Sequence, residues 1–248
     1  MFETFMYEFF GALPRQGPGD RDSTRKAFGM VEELPEKPEI LDLGCGTGKQ
    51  TLDLASLTPG RITAVDNYGP FLERLRENVL KSNLSAEVRP VLGEMALLDF
   101  PPGSFDLIWC EAAAYIIGFR KALKDWRPFL RKGGSMVISE LAWLRKDPPT
   151  EAREFWQEEY PGMRYFEDHS EAVKEAGYDL TGYFRLPDHS WWTDFYGPME
   201  EKIASERKDQ PSDSNRSEFF DSLETELDMH RKYREYYGYM FFVMRKRG

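Results

Sequence analysis

Three glycines at alternate positions, Gly44, Gly46 and Gly48, follow the apolar run Ile40-Leu41-Asp42-Leu43 and precede a helix-forming stretch, Lys49 to Leu57. Residues of these types at this spacing form a cofactor cradle. Glycine takes positive φ without Cβ strain and lets a ligand approach the main chain, and the helix start behind the turn offers free N–H groups. The pattern G-x-G-x-G, with Asp42 just ahead of it, departs from the G-x-G-x-x-G of dinucleotide sites and so disfavours a nicotinamide-dependent oxidoreductase. A purely structural strand-to-helix turn also uses glycines, so the segments that follow must decide.

Those segments are consistent with a parallel nucleoside-binding sheet. About twenty residues beyond the glycines, the short apolar strand Arg61 to Val65 ends at Asp66, followed by Asn67, where doubly wound folds place an acid for ribose hydroxyls. A third strand, Glu87 to Leu92, ends at Gly93-Glu94-Met95, and a fourth, Phe105 to Cys110, ends at Glu111. Ligands in open parallel sheets bind beyond the carboxyl ends of the strands, which brings these distant residues together.

Over residues 38 to 140 these motifs resemble the class I S-adenosylmethionine-dependent methyltransferases. The resemblance implies a Rossmann-like, doubly wound α/β sheet of seven strands, mostly parallel with an antiparallel last strand, and S-adenosylmethionine as cofactor. It implies that the Asp42 to Gly46 turn, through Gly44, Cys45 and Gly46, holds the methionine part, that Asp66 with Asn67 holds the ribose, and that Gly93, Glu94 and Met95 bracket adenine. Leu130-Arg131-Lys132-Gly133-Gly134 resembles the family's glycine turn into its fifth strand, here Ser135 to Glu140. Arg15-Gln16-Gly17-Pro18-Gly19 resembles a segment of uncharacterised bacterial and archaeal members that closes on the cofactor, which makes Gln16 a cofactor contact unless the segment is a plain loop. The branch most resembled is that of quinone-biosynthesis-type and other small-molecule enzymes.

Methyl transfer is an in-line displacement at a carbon bound to cationic sulfur, so alignment supplies much of the acceleration and no metal is inherently needed. A protonated acceptor does need a base. Glu111 and Tyr115, at and just beyond the end of the fourth strand, are the candidate catalytic residues. Glu111 either acts on the acceptor or binds the cofactor's amino group, the plain alternative being a surface acid; Tyr115 either borders the acceptor or packs in the core. The three histidines, His169, His189 and His230, share no metal-ligand spacing. His189, ahead of Trp191-Trp192, lines a substrate pocket or sits on an exposed turn, while His169 and His230 are assigned to surface helices or their ends. Trp143, Trp191, Trp192, Phe195 and Tyr196 either sandwich an apolar, planar or cationic acceptor or form a local core.

Composition narrows the acceptor. A formal charge of −10 over 248 residues weighs against a polyanionic substrate, because nucleic-acid binding needs a basic face to displace counterions. The fourth strand runs into Glu111-Ala112-Ala113-Ala114-Tyr115 and lacks the Asn/Asp-Pro-Pro-Tyr of enzymes that methylate base amino groups or glutamine amides. The two cysteines, Cys45 and Cys110, have no pairing or metal spacing, which fits a reducing, cytoplasmic setting. The apolar start carries Glu3 and Glu8 and lacks the features of a signal peptide, and no apolar run is long enough to span a bilayer.

Strand–helix alternation, with helices over Gly48 to Leu57, Phe71 to Ser82 and Arg120 to Leu130, means a parallel sheet. The reading is one methyltransferase domain over 1–248, with an N-terminal helical cap over 1–35. That cap has Phe2, Phe5, Met6, Phe9 and Phe10 at helical spacing, then a helix capped by Asp22 or Ser23 and running to about Glu33. Helices over Thr150 to Tyr160 and Ser170 to Ala176 precede a strand over Tyr178 to Leu186, and Tyr239 to Arg245 is the last strand. The stretch between these strands, 187–238, is too long for a hairpin and is read as a helical cover, with a flexible loop over Lys208 to Asn215 and a helix over Ser217 to Tyr236. Function follows as methyl transfer to a small-molecule acceptor without nucleic acid or membrane as partner. The alternatives are a protein side-chain methyltransferase and a non-catalytic S-adenosylmethionine-binding regulator.

Overall fold

Successive residues of the central strands face opposite ways, and this period of two builds two cores on the two faces of one sheet. Ile40, Trp109, Val137 and Phe241 point into one core and their neighbours Leu41, Ile108, Ile138 and Phe242 into the other. The computed structural model describes residues 2–209 and 214–248.

In chain order, two helices, α1 (Phe2–Gly11) and α2 (Arg21–Gly29), precede the sheet. Then come β1 (Glu39–Leu43), α3 (Lys49–Ala55), β2 (Arg61–Asp66), α4 (Gly69–Lys81), β3 (Glu87–Leu92) and β4 (Phe105–Glu111). The second half comprises α5 (Phe119–Trp126), β5 (Leu130–Trp143), α6 (Thr150–Glu159), the short β6 (Arg164–Tyr165), α7 (Phe166–Glu175) and β7 (Tyr178–Arg185). A helical connection follows, made of α8 (His189–Trp191), a π-helical turn over Trp192–Tyr196, α9 (Gly197–Asp209) and α10 (Ser214–Tyr233), before the last strand, β8 (Tyr237–Lys246).

The strand order is β3-β2-β1-β4-β5-β8-β7, with β6 paired to the end of β5. Only β8 runs against its neighbours. This is a Rossmann-like, doubly wound α/β fold. Connections leave β1 toward β2 on one side and later return to β4 on the other, so the carboxyl ends of β1 and β4 flank the crevice where such sheets bind ligands.

Several boundaries differ from the sequence reading for local physical reasons. Asp20, not Asp22 or Ser23, caps α2, since its Oδ1 accepts the Ser23 N–H at 2.8 Å, and the helix stops at Gly29. Gly133 and Gly134 lie inside β5, at a register shift against β4 between Phe105 and Leu107; Gly133 takes φ +72°, so this is a bulge in the strand and not a turn before it. In the stretch read as a flexible loop, residues 210–213 lie outside the described residues, and Lys208 and Asn215 belong to α9 and α10. α10 starts at Ser214 rather than Ser217.

The cover is anchored by aromatic contacts at both ends. Phe9 of α1 meets Phe219 and Phe220 of α10 with ring centroids 5.4 and 5.6 Å apart, and Tyr7 stacks on Tyr68 at 4.3 Å at the start of α4. These helices thus roof the carboxyl edge of the sheet. Among the described residues, no helix is long and apolar enough to cross a membrane.

Candidate functional site

The glycine turn is shaped by its backbone and braced from two directions. Gly44, Gly46 and Gly48 take φ of +68°, +55° and +90°, conformations that side chains with a Cβ resist. The Gly46 N–H donates to Asp66 Oδ2 at 2.8 Å, and the Tyr68 N–H donates to Asp66 Oδ1 at 3.0 Å. The carboxylate at the end of β2 therefore already holds the turn that follows β1. From above, Gln16 Oε1 accepts the Thr47 N–H and hydroxyl at 2.8 and 3.0 Å, and a Cβ on Gly46 would stand 2.5 Å from that same oxygen. Asp42 does not reach the surface of the turn. It is fully buried one layer below, where its Oδ2 accepts the Thr51 hydroxyl at 2.5 Å and burial raises its carboxyl to about 7.

Glu111, at the end of β4, is a fully committed carboxylate. Its Oε2 accepts from Arg15 at 3.2 Å, and its Oε1 accepts from the Thr24 hydroxyl at 2.8 Å and the Trp109 indole N–H at 2.9 Å. Burial pushes its carboxyl above the usual range while the Arg15 guanidinium pulls the other way. It is not a surface acid, and with these donors in place it is a clamp on the N-terminal segment more than a free base. The clamp needs Gly19, because a Cβ there would meet Arg15 Nη1 at 2.4 Å. The same loop is tied to the cover: the Arg15 N–H donates to the Asp194 carbonyl and the Gly19 N–H to the Ser190 carbonyl, both at 3.1 Å.

Beyond Glu111 the chain turns sharply. Ala112 takes φ +51°, uncommon for a residue with a Cβ, and its N–H donates to Ser139 Oγ at 2.8 Å. This bend carries Ala113 and Tyr115 out over the crevice.

A cavity of about 460 Å³ opens there. At its sheet end lie Gly44, Cys45, Gly46, Asp66, Asn67, Gly93, Glu94, Met95, Gln16 and Glu111; at its roofed end lie Tyr115, Trp191 and Phe195. The remaining candidates are elsewhere. Trp143 packs edge-on against Tyr237, with centroids 6.2 Å apart, in the core under the cover. Trp192 lies beneath the Arg231 guanidinium, 4.8 Å from its ring centroid, and His189 is exposed at the start of α8. Neither lines the cavity.

The two histidines assigned to the surface are both buried. His169 packs between Phe119 and Phe242, and His230 stacks on Trp191 at 4.2 Å. Burial lowers each to about 4, so both are neutral near pH 7.

Other lining residues escaped the sequence reading. Tyr7 and Phe10 come from α1, Trp156, Glu159 and Tyr160 from the end of α6, and Glu226 from α10. Glu226 did leave a signal: it lies one turn beyond Leu223 and beside Leu227 on the apolar stripe of α10, where a charge has no packing reason. Arg15 opens the segment expected to close on the cofactor, although only Gln16 of that segment was read as a contact; it lines the cavity, and its buried Nη1 is a donor without a hydrogen-bond partner.

The sheet end of this cavity fits S-adenosylmethionine. It offers backbone at the close-approach turn, an acid at the end of β2, the neighbouring Asn67, Glu94 and Met95, and an arginine N–H without a hydrogen-bond partner. Three or more His, Cys, Asp or Glu side chains placed to hold a metal do not occur among the described residues.

Comparison with known proteins points the same way. Residues 40–134, from β1 into β5, match the family model of the methyltransferase domain. The chain is 33% identical over 126 residues to the ribosomal protein L11 methyltransferase of Thermosipho melanesiensis, an overlap that covers 50% of this chain and 46% of that one, so it spans about half the length of that curated relative. Among solved structures, YjhP from E. coli superposes with a TM-score of 0.83 at 19% identity, covering 96% of this chain and 98% of the other. A SAM-dependent methyltransferase from Geobacter sulfurreducens in complex with S-adenosyl-L-homocysteine superposes with a TM-score of 0.81 at 18% identity, covering 96% of each chain.

Proposed function

We propose, from the methyltransferase domain that residues 40–134 carry, that this protein transfers a methyl group from S-adenosylmethionine to a small-molecule acceptor. The observation that carries the reading is one continuous cavity. It joins the Gly44–Gly48 turn and Asp66 to a second compartment roofed by α1, α6 and the β7–β8 connection. A volume of about 460 Å³ lies in the range of small-molecule sites and is modest for cofactor and acceptor together.

In this reading Asp66 accepts the ribose hydroxyls through its remaining lone pairs, Glu94 and Met95 flank the adenine, and the Arg15 Nη1 holds the cofactor's carboxylate. When bound, S-adenosylmethionine supplies a methyl carbon activated by a sulfonium leaving group. The protein aligns the acceptor with that carbon and excludes water. Tyr115, at the border between the two compartments, is a neutral hydroxyl: its pKa is pushed up to about 12 by enclosure and then by Glu226 and Glu140. It therefore positions an acceptor and does not deprotonate one.

Calorimetry with S-adenosylmethionine, S-adenosylhomocysteine and NADH tests the cofactor, and transfer of labelled methyl into a fractionated metabolite extract tests the acceptor class. Tight binding of the first two and label in a low-molecular-mass fraction support the proposal. Label confined to protein would favour side-chain methylation, a reading that the ribosomal protein L11 methyltransferase relative keeps open. Binding without transfer to any fraction would favour a regulator.

A further inference from the structure

The roofed end of the cavity has a one-sided chemistry. Its ionisable lining groups are Glu159 and Glu226 together with the phenols of Tyr7, Tyr115, Tyr160 and Tyr239. Among the described residues, the one cationic side chain lining the cavity, Arg15, is engaged with Glu111 at the opposite end, beside the glycine turn. Apolar walls from Phe10, Trp156, Trp191 and Phe195 surround these acids.

Polar groups in and behind the wall of this compartment also lack hydrogen-bond partners. The indole N–H of Trp156, a wall residue only 7% exposed, lacks a partner, and so does the Tyr237 hydroxyl that faces it from behind the wall. Both carboxylate oxygens of Glu140, 1% exposed, lack one too; Tyr160 of the cavity wall is the polar group that faces them. Glu226 accepts the Tyr196 hydroxyl at 2.5 Å on Oε1 alone, and Glu159, Tyr115, Tyr237 and Tyr239 also face it. Glu226, half-buried and with a phenol rather than a cation as its hydrogen-bond partner, bears a desolvation cost that an entering cation relieves. Aromatic faces add cation–π attraction in the same enclosure.

We infer that the methyl acceptor is a small organic amine, drawn into this compartment as its ammonium form and held by Glu226. The inference rests on the methyltransferase reading above and narrows its substrate class. The chemistry balances within the site. The ammonium loses a proton to the Glu226 carboxylate, which burial already biases toward the protonated form. The freed nitrogen lone pair then forms the new C–N bond as the C–S bond breaks, its electron pair remaining on sulfur. A carboxylate or phosphate acceptor finds no such partner, and an alcohol gains only a hydrogen bond to the carboxylate, without the charge pairing that an ammonium adds.

The test uses the full chain loaded with S-adenosylhomocysteine and three matched probes, benzylamine, benzyl alcohol and benzoate, titrated by NMR or calorimetry. Benzylamine should bind at least tenfold more tightly than benzyl alcohol, and benzoate should not bind measurably. Glu226→Gln should lower benzylamine affinity about tenfold or more while leaving benzyl alcohol and S-adenosylhomocysteine affinity unchanged. Benzyl alcohol equal to benzylamine, or benzoate binding best, overturns the inference while the cofactor reading stands. Failure of the wild-type protein to bind S-adenosylhomocysteine removes that reading and this one with it. If Glu226→Gln does not fold, the wild-type ranking of the three probes still decides, with Glu159→Gln as the second variant.

Discussion

Arg15 and Glu111 form an ion pair at 3.2 Å in which each side chain is only 4% exposed, joining a loop near the N-terminus to the end of β4. The pair connects the fold to the site: Glu111 fixes the loop, and the loop places Gln16 over the glycine turn and the Arg15 Nη1 at the cavity. Glu111→Ala strands a buried guanidinium and also leaves the Thr24 and Trp109 donors unpaired. We expect a loss of about 3–5 kcal/mol in urea denaturation, with Arg15→Met less costly because the stranded Glu111 keeps the Thr24 and Trp109 donors and burial favours its protonated form. A loss below about 1 kcal/mol, the scale of an exposed pair, would show that the clamp carries no weight.

Gly46→Val should abolish S-adenosylmethionine binding in a folded protein. The variant places a branched side chain at φ +55° and drives its Cβ into Gln16 Oε1, so the turn and its brace cannot both persist. Calorimetry on a variant with an unchanged circular dichroism spectrum is the measurement; wild-type affinity would place the cofactor elsewhere.

Asp66→Ala should weaken the cofactor by roughly 1.5–3 kcal/mol, the scale of hydrogen bonds to a charged group. Because Asp66 also accepts the Gly46 and Tyr68 N–H groups, backbone exchange at the turn should rise in the same variant even without ligand. Loss of affinity with unaltered exchange would assign Asp66 to the ribose alone.

Trp191 and Trp192 should separate. Trp191 lines the cavity and stacks on His230, whereas Trp192 packs under Arg231 away from it. Trp191→Ala is expected to raise the acceptor KM more than the cofactor KM, and Trp192→Ala to leave both within about twofold, since a surface stacking contact is worth only about 0.5–1 kcal/mol to the fold. Equal effects on the acceptor KM would contradict the placement.

Stability should fall at alkaline pH through Glu140. Its folded carboxyl, pushed up to about 8 by burial, lies above the ordinary value of 4.5. Such a group contributes its full stability below about pH 4.5 and loses it as pH rises through about 8, a change of roughly 4–5 kcal/mol at most. Asp42, at about 7, adds a loss of the same sign at slightly lower pH. His169 acts oppositely: lowered to about 4, it favours the fold above pH 6.5 and that contribution fades as pH falls toward 4. Glu140→Gln should therefore be more stable than wild type at pH 9 and similar at pH 5 by denaturant titration. Parallel pH profiles for the two proteins would refute the assignment.

The amino-acid sequence by itself determined the sheet and the glycine-turn end of the cavity, because those are written in local terms. Glycine at Gly44, Gly46 and Gly48 reports backbone conformation, strand periodicity reports the sheet, and acids at strand ends report where a parallel sheet opens; none of these needs a distant partner to be read. The roofed half was decided only in three dimensions. Glu226, a charge on the apolar stripe of α10, has no evident purpose until α10 is laid against the cavity, and Glu111 looks like a free acid until Arg15 and Thr24 arrive from the N-terminal segment. His169 and His230 are burial questions settled by which aromatic rings pack around them, and Trp191 and Trp192, adjacent in sequence and both in contact with His230, differ in that only Trp191 reaches the cavity while Trp192 packs under Arg231. Side-chain partnership is set by long-range packing, which a linear pattern of residue types does not encode.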